Sequence, residues 1–341
     1  MPIDGERKVT ITAIAREAGV SVPTVSRVVN GRSDVSPTTR ARIEELLHEH
    51  GYRRRTSRRR DRAGLIDLVF NDLDSPWAVE IIRGVEDVAH AAAVGTVVSA
   101  IHRRSTSTRQ WLDNLRARAS DAVILVASTL QPTHQAELRR LNVPIVAVDP
   151  AGVPALDVPT VGATNWAGGL AATEHLISRG HERIGFIAGP PRLLCSRARL
   201  DGHRAALEAA GIAADPELIQ PGDFYHESGF QGAAALLDLR DPPTAIFAAS
   251  DQMAFGVYEA VRQRGLRIPD DLSVVGFDDL PEARWASPPL TTVRQPLAEM
   301  GRLAARTVLR LAKGEEIESP RVELATDLVI RDSTDDSHGR P

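Results

Sequence analysis

From Val9 to His50 apolar residues recur at helical spacing, whereas from Ala63 onward short apolar runs alternate with longer amphipathic stretches. Thr10 is placed to cap a helix whose Ile11, Ile14, Ala15 and Ala18 share one face, and Gly19 supplies the permissive backbone that ends it. Ser21 caps a second helix with Pro23 in its first turn. Here Val25, Val28 and Val29 point inward, leaving Val22, Pro23, Ser26 and Arg27 outward. Ser36 and Pro37 open a third helix to about His50, with Ile43, Leu46 and Leu47 inside and Gly51 as its stop. A polar face on the second of two turn-linked helices fits the major groove of DNA. A solvated helical hairpin would satisfy the same caps and spacing.

The remainder reads as strand–helix repeats. LIDLVF, TVVSAI, AVILVA and PIVAVD are separated by helical stretches at Trp77–Ala93, Thr108–Arg118 and Thr133–Leu141. In a second set, helices at Asn165–Arg179, Ser196–Ala210, Glu227–Leu239 and Gln252–Arg264 interleave with RIGFIAG, ELIQPGDF, AIFAAS and SVVGFDD. PLTTV then leads to a helix at Leu297–Leu311, and RVELATDLVIR supplies closing strand material. Strand followed by helix, repeated, dictates α/β architecture with parallel sheets. Two such halves predict a cleft between lobes, with ligand beyond the carboxyl ends of the strands.

Charge sharpens the division. Residues 1–62 hold 14 Lys or Arg against 8 acids and the rest 27 against 37, so a net charge of −4 conceals a basic end suited to nucleic acid. Residues 53–62, RRRTSRRRDR, carry seven arginines, one acid and no apolar side chain, and cannot build a core. Only Lys8 and Lys313 are lysines, a bias that a GC-rich genome produces by itself. Cys195 is the single cysteine, which excludes an internal disulfide, disfavours a cysteine zinc site and suits a reducing compartment. No apolar run is long enough for a membrane span or a signal-peptide core, so a cytoplasmic protein without a membrane partner is expected. GxSxG, a phosphate loop with GKS or GKT, and HExxH are missing, and His181 and His203 have no nucleophile pattern beside them; no enzyme, metal or cofactor is expected.

The string AxxAGVSxxTVSRVVNG, the VSPTTRARI start of the third helix and the Gly51–Tyr52 close resemble the headpiece of the LacI/GalR family of regulators. The likeness continues through GDFYHESG, ASDQMAFGVYEA, PDDLSVVGFDDLPEAR and PPLTTVRQP, covering residues 9 to about 332. In detail the string is most similar to actinobacterial regulators of xylose or xylan use. The resemblance implies a three-helix helix-turn-helix headpiece over residues 1–52, an Arg-rich hinge or linker over 53–63, and a periplasmic-binding-protein-like core. Lobe 1 of that core would comprise 64–162 and 291–318, and lobe 2 163–290 and 319–332, followed by a polar tail over 333–341.

On the second helix, Arg27 is the base-reading candidate, since guanidinium can bond a guanine edge bidentately; a phosphate contact is its alternative. Val22 and Pro23 match the positions by which family members discriminate operators, and here they can meet thymine methyls but donate no hydrogen bond. Thr10, Ser21, Thr24, Ser26, Asn30 and Tyr52 offer hydroxyl or amide groups to phosphates, although Thr10 and Ser21 equally suit caps and Tyr52 packing. The family's hinge helix wedges a leucine into the minor groove. Residues 53–62 contain none, so arginines such as Arg58, Arg59 and Arg60 either take its place or form a solvated linker.

The resemblance also places effector contacts at Asp74 and Trp77 in NDLDSPW, Arg199 in CSRARLDG, Phe224 in GDFYHES, Asp251 in ASDQMA and Asp278 in GFDDL. Asn165, Cys195, Ser250 and Trp285 are further candidates. Carboxylates and a guanidinium bind vicinal hydroxyls in pairs, and aromatic rings cover C–H faces. The set therefore suits a sugar, such as xylose or a xylo-oligosaccharide by the likeness above; purine-binding members use the same positions. Singly each has a plainer role: Asp278 as cap of a helix near Pro281, Phe224 as core, Arg199 as partner of acids on its own helix.

The expected protein is a homodimeric repressor that sets two headpieces on an inverted-repeat operator and releases it when the sugar alters the lobe arrangement. The dimer is expected through first-lobe helices such as Trp77–Ala93, and the tail DSTDDSHGRP has no leucine heptads to build a tetramer. The competing readings are a soluble solute-binding protein and a purine- or corepressor-responsive regulator of the same fold.

Overall fold

A computed structural model describes residues 11–29, 35–50, 63–102, 105–127, 132–150, 152 and 158–334. It divides into two units at Asp61. In the first, α1 (Ile11–Glu17), α2 (Val22–Val29) and α3 (Pro37–Glu49) close over Ile14, Ala15, Val25, Val28, Ile43 and Leu46. Gly19 joins α1 to α2 at φ +66°, a left-handed turn that glycine adopts without strain. Ser21 and Ser36 cap α2 and α3 as the sequence predicts. The amide of Thr24 donates to Ser21 Oγ at 3.3 Å and that of Thr39 to Ser36 Oγ at 3.2 Å.

The second unit is the α/β core. Its first lobe contains β1 (Leu65–Phe70), α4 (Pro76–Ala91), β2 (Gly95–Ala100), α5 (Ser105–Arg118), β3 (Ala122–Val126), α6 (Pro132–Leu141), β4 (Ile145–Val148) and β5 (Thr160–Ala163). The second contains α7 (Asn165–Ser178), β6 (Ile184–Ile187), α8 (Leu194–Ala209), β7 (Ile219–Gln220), α9 (His226–Leu237), β8 (Ala245–Ala248), α10 (Asp251–Gln263), β9 (Ser273–Asp278) and β10 (Thr291–Arg294). The chain then returns to the first lobe as α11 (Leu297–Ala312) and β11 (Arg321–Leu324), and ends in the second as β12 (Asp327–Val329).

Strand order is β11-β5-β4-β3-β1-β2 in one sheet and β12-β10-β9-β8-β6-β7 in the other. All pairings are parallel except β10 with β12. The central strands carry unbroken apolar runs because helices cover both faces. On one face of the first sheet Ile66, Leu68 and Ile124 meet Ile81 and Val85 of α4 and Met300 of α11; on the other Val69 and Val123 meet Trp111 and Leu115 of α5. Phe186, Phe247 and Phe277 are fully buried in the second lobe, each burial contributing about 1.5–3 kcal/mol.

Two lobe boundaries differ from those the resemblance implies. Residues 291–294, expected in lobe 1, form β10 beside β9 in the second sheet, where Thr292 Oγ1 donates to Asp251 Oδ1 at 2.5 Å and Thr291 Oγ1 to the Arg331 carbonyl at 3.0 Å. The two buried threonines find their partners only there. Residues 321–324, expected in lobe 2, form β11 and cover the edge of β5, a short strand that the periodicity did not reveal. The chain therefore crosses between lobes after β5, after β10 and after β11, and all three crossings lie at one end of each sheet order.

Candidate functional site

In the amino-terminal unit, Pro23 and Arg27 of α2 are exposed, Thr24 and Ser26 half-buried. Ser21 and Thr24 share a hydroxyl–hydroxyl hydrogen bond of 2.8 Å, so both serve the cap. Val22 is not the outward residue expected: it is half-buried and packs against the headpiece core. As the first residue of α2 it lies one turn before Val25 and at the rim of the same apolar stripe. Thr10, Asn30, Tyr52, Arg58, Arg59 and Arg60 lie outside the described residues, and so do the linker alternatives for 53–62.

In the core, the carboxyl ends of β1, β3, β4, β9 and the loop after β7 converge on a cleft between the lobes, enclosing about 120 Å³ where one water needs ~10–15 Å³. Trp77, Cys195, Arg199, Phe224, Ser250 and Asp278 line it, as expected. Arg199 is its centre. This side chain is 3% exposed; Nε donates to Asn165 Oδ1 at 2.8 Å and Nη1 to the Ala249 carbonyl at 2.6 Å. Its guanidinium carbon stands 3.7 Å from the centroid of the Phe277 ring and 5.4 Å from that of Phe224, and Nη1 lies 3.8 Å from Asp278 Oδ1. Its acidic partner is therefore on β9, not on its own helix.

Two glycine approaches hold α8 in place. A Cβ on Gly169 of α7 would sit 2.3 Å from the Arg199 carbonyl oxygen, and one on Gly202 would sit 2.2 Å from that of Trp166. Only bare backbone lets the two helices pack this closely. Backbone strain gathers at the same place: Ala127 (φ 46°), Asp149 (φ 45°), Phe224 (φ 76°) and Asp278 (φ 132°) all leave the ordinary regions where strands or loops reach the cleft. Such conformations cost roughly 1–3 kcal/mol each and cluster where ligands bind.

Two of the cleft carboxyls, Asp149 and Asp278, are held towards protonation. Burial raises Asp278, opposed by the Arg199 charge and by Gln295, whose Nε2 donates to Oδ1 at 2.6 Å. Burial likewise raises Asp149, with Arg199 opposing, and pushes the neighbouring Cys195 thiol up, so that this cysteine is an inert hydrogen-bonding group. Asp72, Asp149, Asp223 and Asp278 face only Arg192 and Arg199 among the cleft-lining charges, an acceptor-rich surface.

Four candidates lie elsewhere. Asp74 is exposed and off the cleft wall, because Ser75 caps α4 and puts Leu73 and Asp74 on the outer bend; Asp72 faces the cleft instead. Asn165 stands behind Arg199 as its hydrogen-bond partner. Asp251 lies beneath the cleft, fully buried, accepting from Thr292 Oγ1 and from the Leu280 amide at 2.8 Å; Leu280 itself packs into the first lobe's core. Burial, and then the Asp278 charge, raise its pKa. Trp285 is 76% exposed and is not among the residues lining the cleft. Sequence reasoning missed Asp149 and Tyr225, although both follow strands and the strand-end rule points at them.

Among the described residues no helix is long and apolar enough to cross a membrane, and no group of three His, Cys, Asp or Glu could hold a metal. A helix-turn-helix unit joined to a two-lobed, periplasmic-binding-like core defines a ligand-responsive DNA-binding protein, and comparison with known proteins agrees. Residues 10–55 match the bacterial regulatory proteins of the lacI family, and 173–334 match the periplasmic binding protein-like domain. The transcriptional repressor CytR of Escherichia coli is 34% identical over 332 residues, 96% of this chain and 97% of that protein. The transcriptional regulator CelR of Thermobifida fusca is 36% identical over 340 residues, 97% and 100% of the two chains. Among solved structures, a complex of CelR with cellobiose matches with a TM-score of 0.74 and 35% identity over 95% of this chain and 99% of that one. The lac repressor dimer bound to operator and the anti-inducer ONPF matches at 0.70 and 30%, over 96% and 100%. The chain belongs to the LacI family of DNA-binding transcriptional regulators.

Proposed function

We propose that this protein is a homodimeric repressor of carbohydrate-utilisation genes, acting in the cytoplasm and released from an inverted-repeat operator by a small sugar bound between the core lobes. The observation that carries the reading is the convergence on one interlobe cleft of a buried guanidinium, raised carboxyls and the Trp77 and Phe224 rings. Hydroxyl pairs bridge Asp and Arg, and rings cover C–H faces. The likeness to CelR with cellobiose supports a carbohydrate over a purine; a xylose or xylo-oligosaccharide effector is the finer form of the proposal.

Trp77, Arg199, Phe224 and Asp278 would meet the sugar, with Cys195 at the wall and Asn165 and Asp251 acting through their neighbours. In each headpiece Arg27 would read a base edge, Pro23 with the partly packed Val22 would meet thymine methyls, and hydroxyls of α2 would fix register on phosphates. Sugar releases the operator only in so far as it prefers the lobe arrangement that separates the two linkers, a coupling of ~1–3 kcal/mol or more. The test is mass-spectrometric identification of ligand co-purified with the full-length protein, followed by operator binding with and without that compound. A bound sugar that releases DNA supports the proposal; a bound purine that tightens DNA binding overturns it.

A further inference from the structure

The three crossings between lobes lie at the β5–β11 end of one sheet and the β10–β12 end of the other. Asp72 follows β1 and Tyr225 follows β7, at the opposite ends of the two sheets, and there the lobes meet again: the Tyr225 hydroxyl donates to Asp72 Oδ1 at 2.5 Å. Both residues line the cleft and both are half-buried. The loop that carries Tyr225 is built to hold it. Asp223 Oδ1 accepts from the Tyr225 amide at 2.9 Å and from Ser228 Oγ at 2.6 Å, and Ser250 Oγ donates to the Phe224 carbonyl at 3.0 Å. The Phe224 ring fills the space in which a Cβ on Gly189 would lie, 2.1 Å away. A phenol fixed on one lobe and a carboxylate on the other thus join the two lobes across the cleft, beside strands at the sheet ends away from β5, β10 and β11, from which the chain crosses.

We propose that Tyr225 is a positioning residue for the effector response: through Asp72 it latches the lobes across the cleft, stabilises the closed lobe arrangement, and must let go for ligand to enter or leave. The inference rests on the reading that the cleft takes the effector, but the latch itself is testable without any ligand. A net hydrogen bond to a charged group sets the closed-to-open ratio by about 10-fold or more. Tyr225→Phe keeps the ring and removes only the hydroxyl.

The test is backbone hydrogen exchange on the full-length protein. Tyr225→Phe should speed exchange about 10-fold in residues 70–76 of one lobe and 222–228 of the other, with residues 290–296 at the hinge unchanged. Asp72→Ala should do the same, the double variant should add nothing to either single change, and Asp72→Asn, which still accepts from the phenol but without the charge, should keep part of the slow exchange that Asp72→Ala loses. Faster exchange confined to 222–228 would mean a merely local role and overturn the latch. So would additive single effects. Xylose and xylobiose, tested on the wild type, provide the separate check: failure of both to protect either segment would count against the xylose-type effector while leaving the latch standing.

Discussion

Replacing Arg199 by Ala strikes the centre of the cleft and leaves every headpiece residue unchanged. The Asn165 Oδ1 and the Ala249 carbonyl lose donors at 2.8 and 2.6 Å, and Asp149 and Asp278 lose the buried Arg199 charge that opposes their raised pKa. Each orphaned buried group costs about 1–3 kcal/mol, and a buried charge stripped of its partner 3–5 kcal/mol. Asp278 relieves part of that cost by taking a proton, since burial already favours its neutral form. The expected loss of core stability is therefore about 3–5 kcal/mol rather than the full sum. Urea unfolding followed by a signal from the core lobes measures it, and fluorescence anisotropy with labelled operator measures DNA release. The variant should still bind operator below its unfolding transition but no longer release it with ligand. Arg199→Lys should recover part of the stability and none of the response, because a point charge cannot serve Asn165, Ala249 and a ligand in the plane of a fork. A loss below about 1 kcal/mol, or release at the wild-type ligand concentration, would refute the role given to this residue.

Arg27→Ala should abolish discrimination between operator and random duplex while leaving weak, salt-sensitive binding, because a base contact is lost and phosphate contacts stay; a competition titration reads this directly. Gly169→Ala should cost about 1–3 kcal/mol in urea unfolding and weaken effector binding from a distance, since the added methyl meets the Arg199 backbone at 2.3 Å and parts α7 from α8. His203, stacked on Phe186 at 4.9 Å and hydrogen-bonded to Thr173, is lowered to about 4, chiefly by burial. It is neutral in the fold and protonated in the unfolded chain below about 6.5, so its contribution is complete above that pH and is lost as pH falls towards 4. His203→Gln should flatten that acid limb, by up to about 3 kcal/mol, in melting temperature against pH.

Patterns with a strong period were legible in the sequence. The headpiece caps Ser21 and Ser36 and the strand–helix alternation of both lobes are local features, and local chemistry decides them. The short strand β5 was not legible, since TVGA has too few residues for a period and is held by pairing with β4 on one side and β11 on the other, while RVEL was legible as a strand but not as a strand of the first lobe. Lobe membership of β10 was hidden for a related reason: nothing near Thr291 and Thr292 in sequence says that Asp251 and Arg331 will complete them. In the cleft, side chains fixed by regular elements, such as Arg199 on α8, were placed well. The bend of NDLDSP misled by two residues, exchanging Asp74 for Asp72, because the Ser75 cap decides which carboxylate turns inward.

A single ligand in the interlobe cleft is expected to govern DNA binding. The most direct test is an anisotropy titration of the full-length protein on a duplex that it selects from random DNA, repeated across a panel of pentoses, hexoses and their short oligosaccharides. One sugar class should weaken operator affinity at least about 10-fold, as a coupling of ~1.4 kcal/mol requires, and Arg199→Ala should erase the effect. An operator affinity that no sugar alters, or a sugar response that survives Arg199→Ala unchanged, would contradict that expectation.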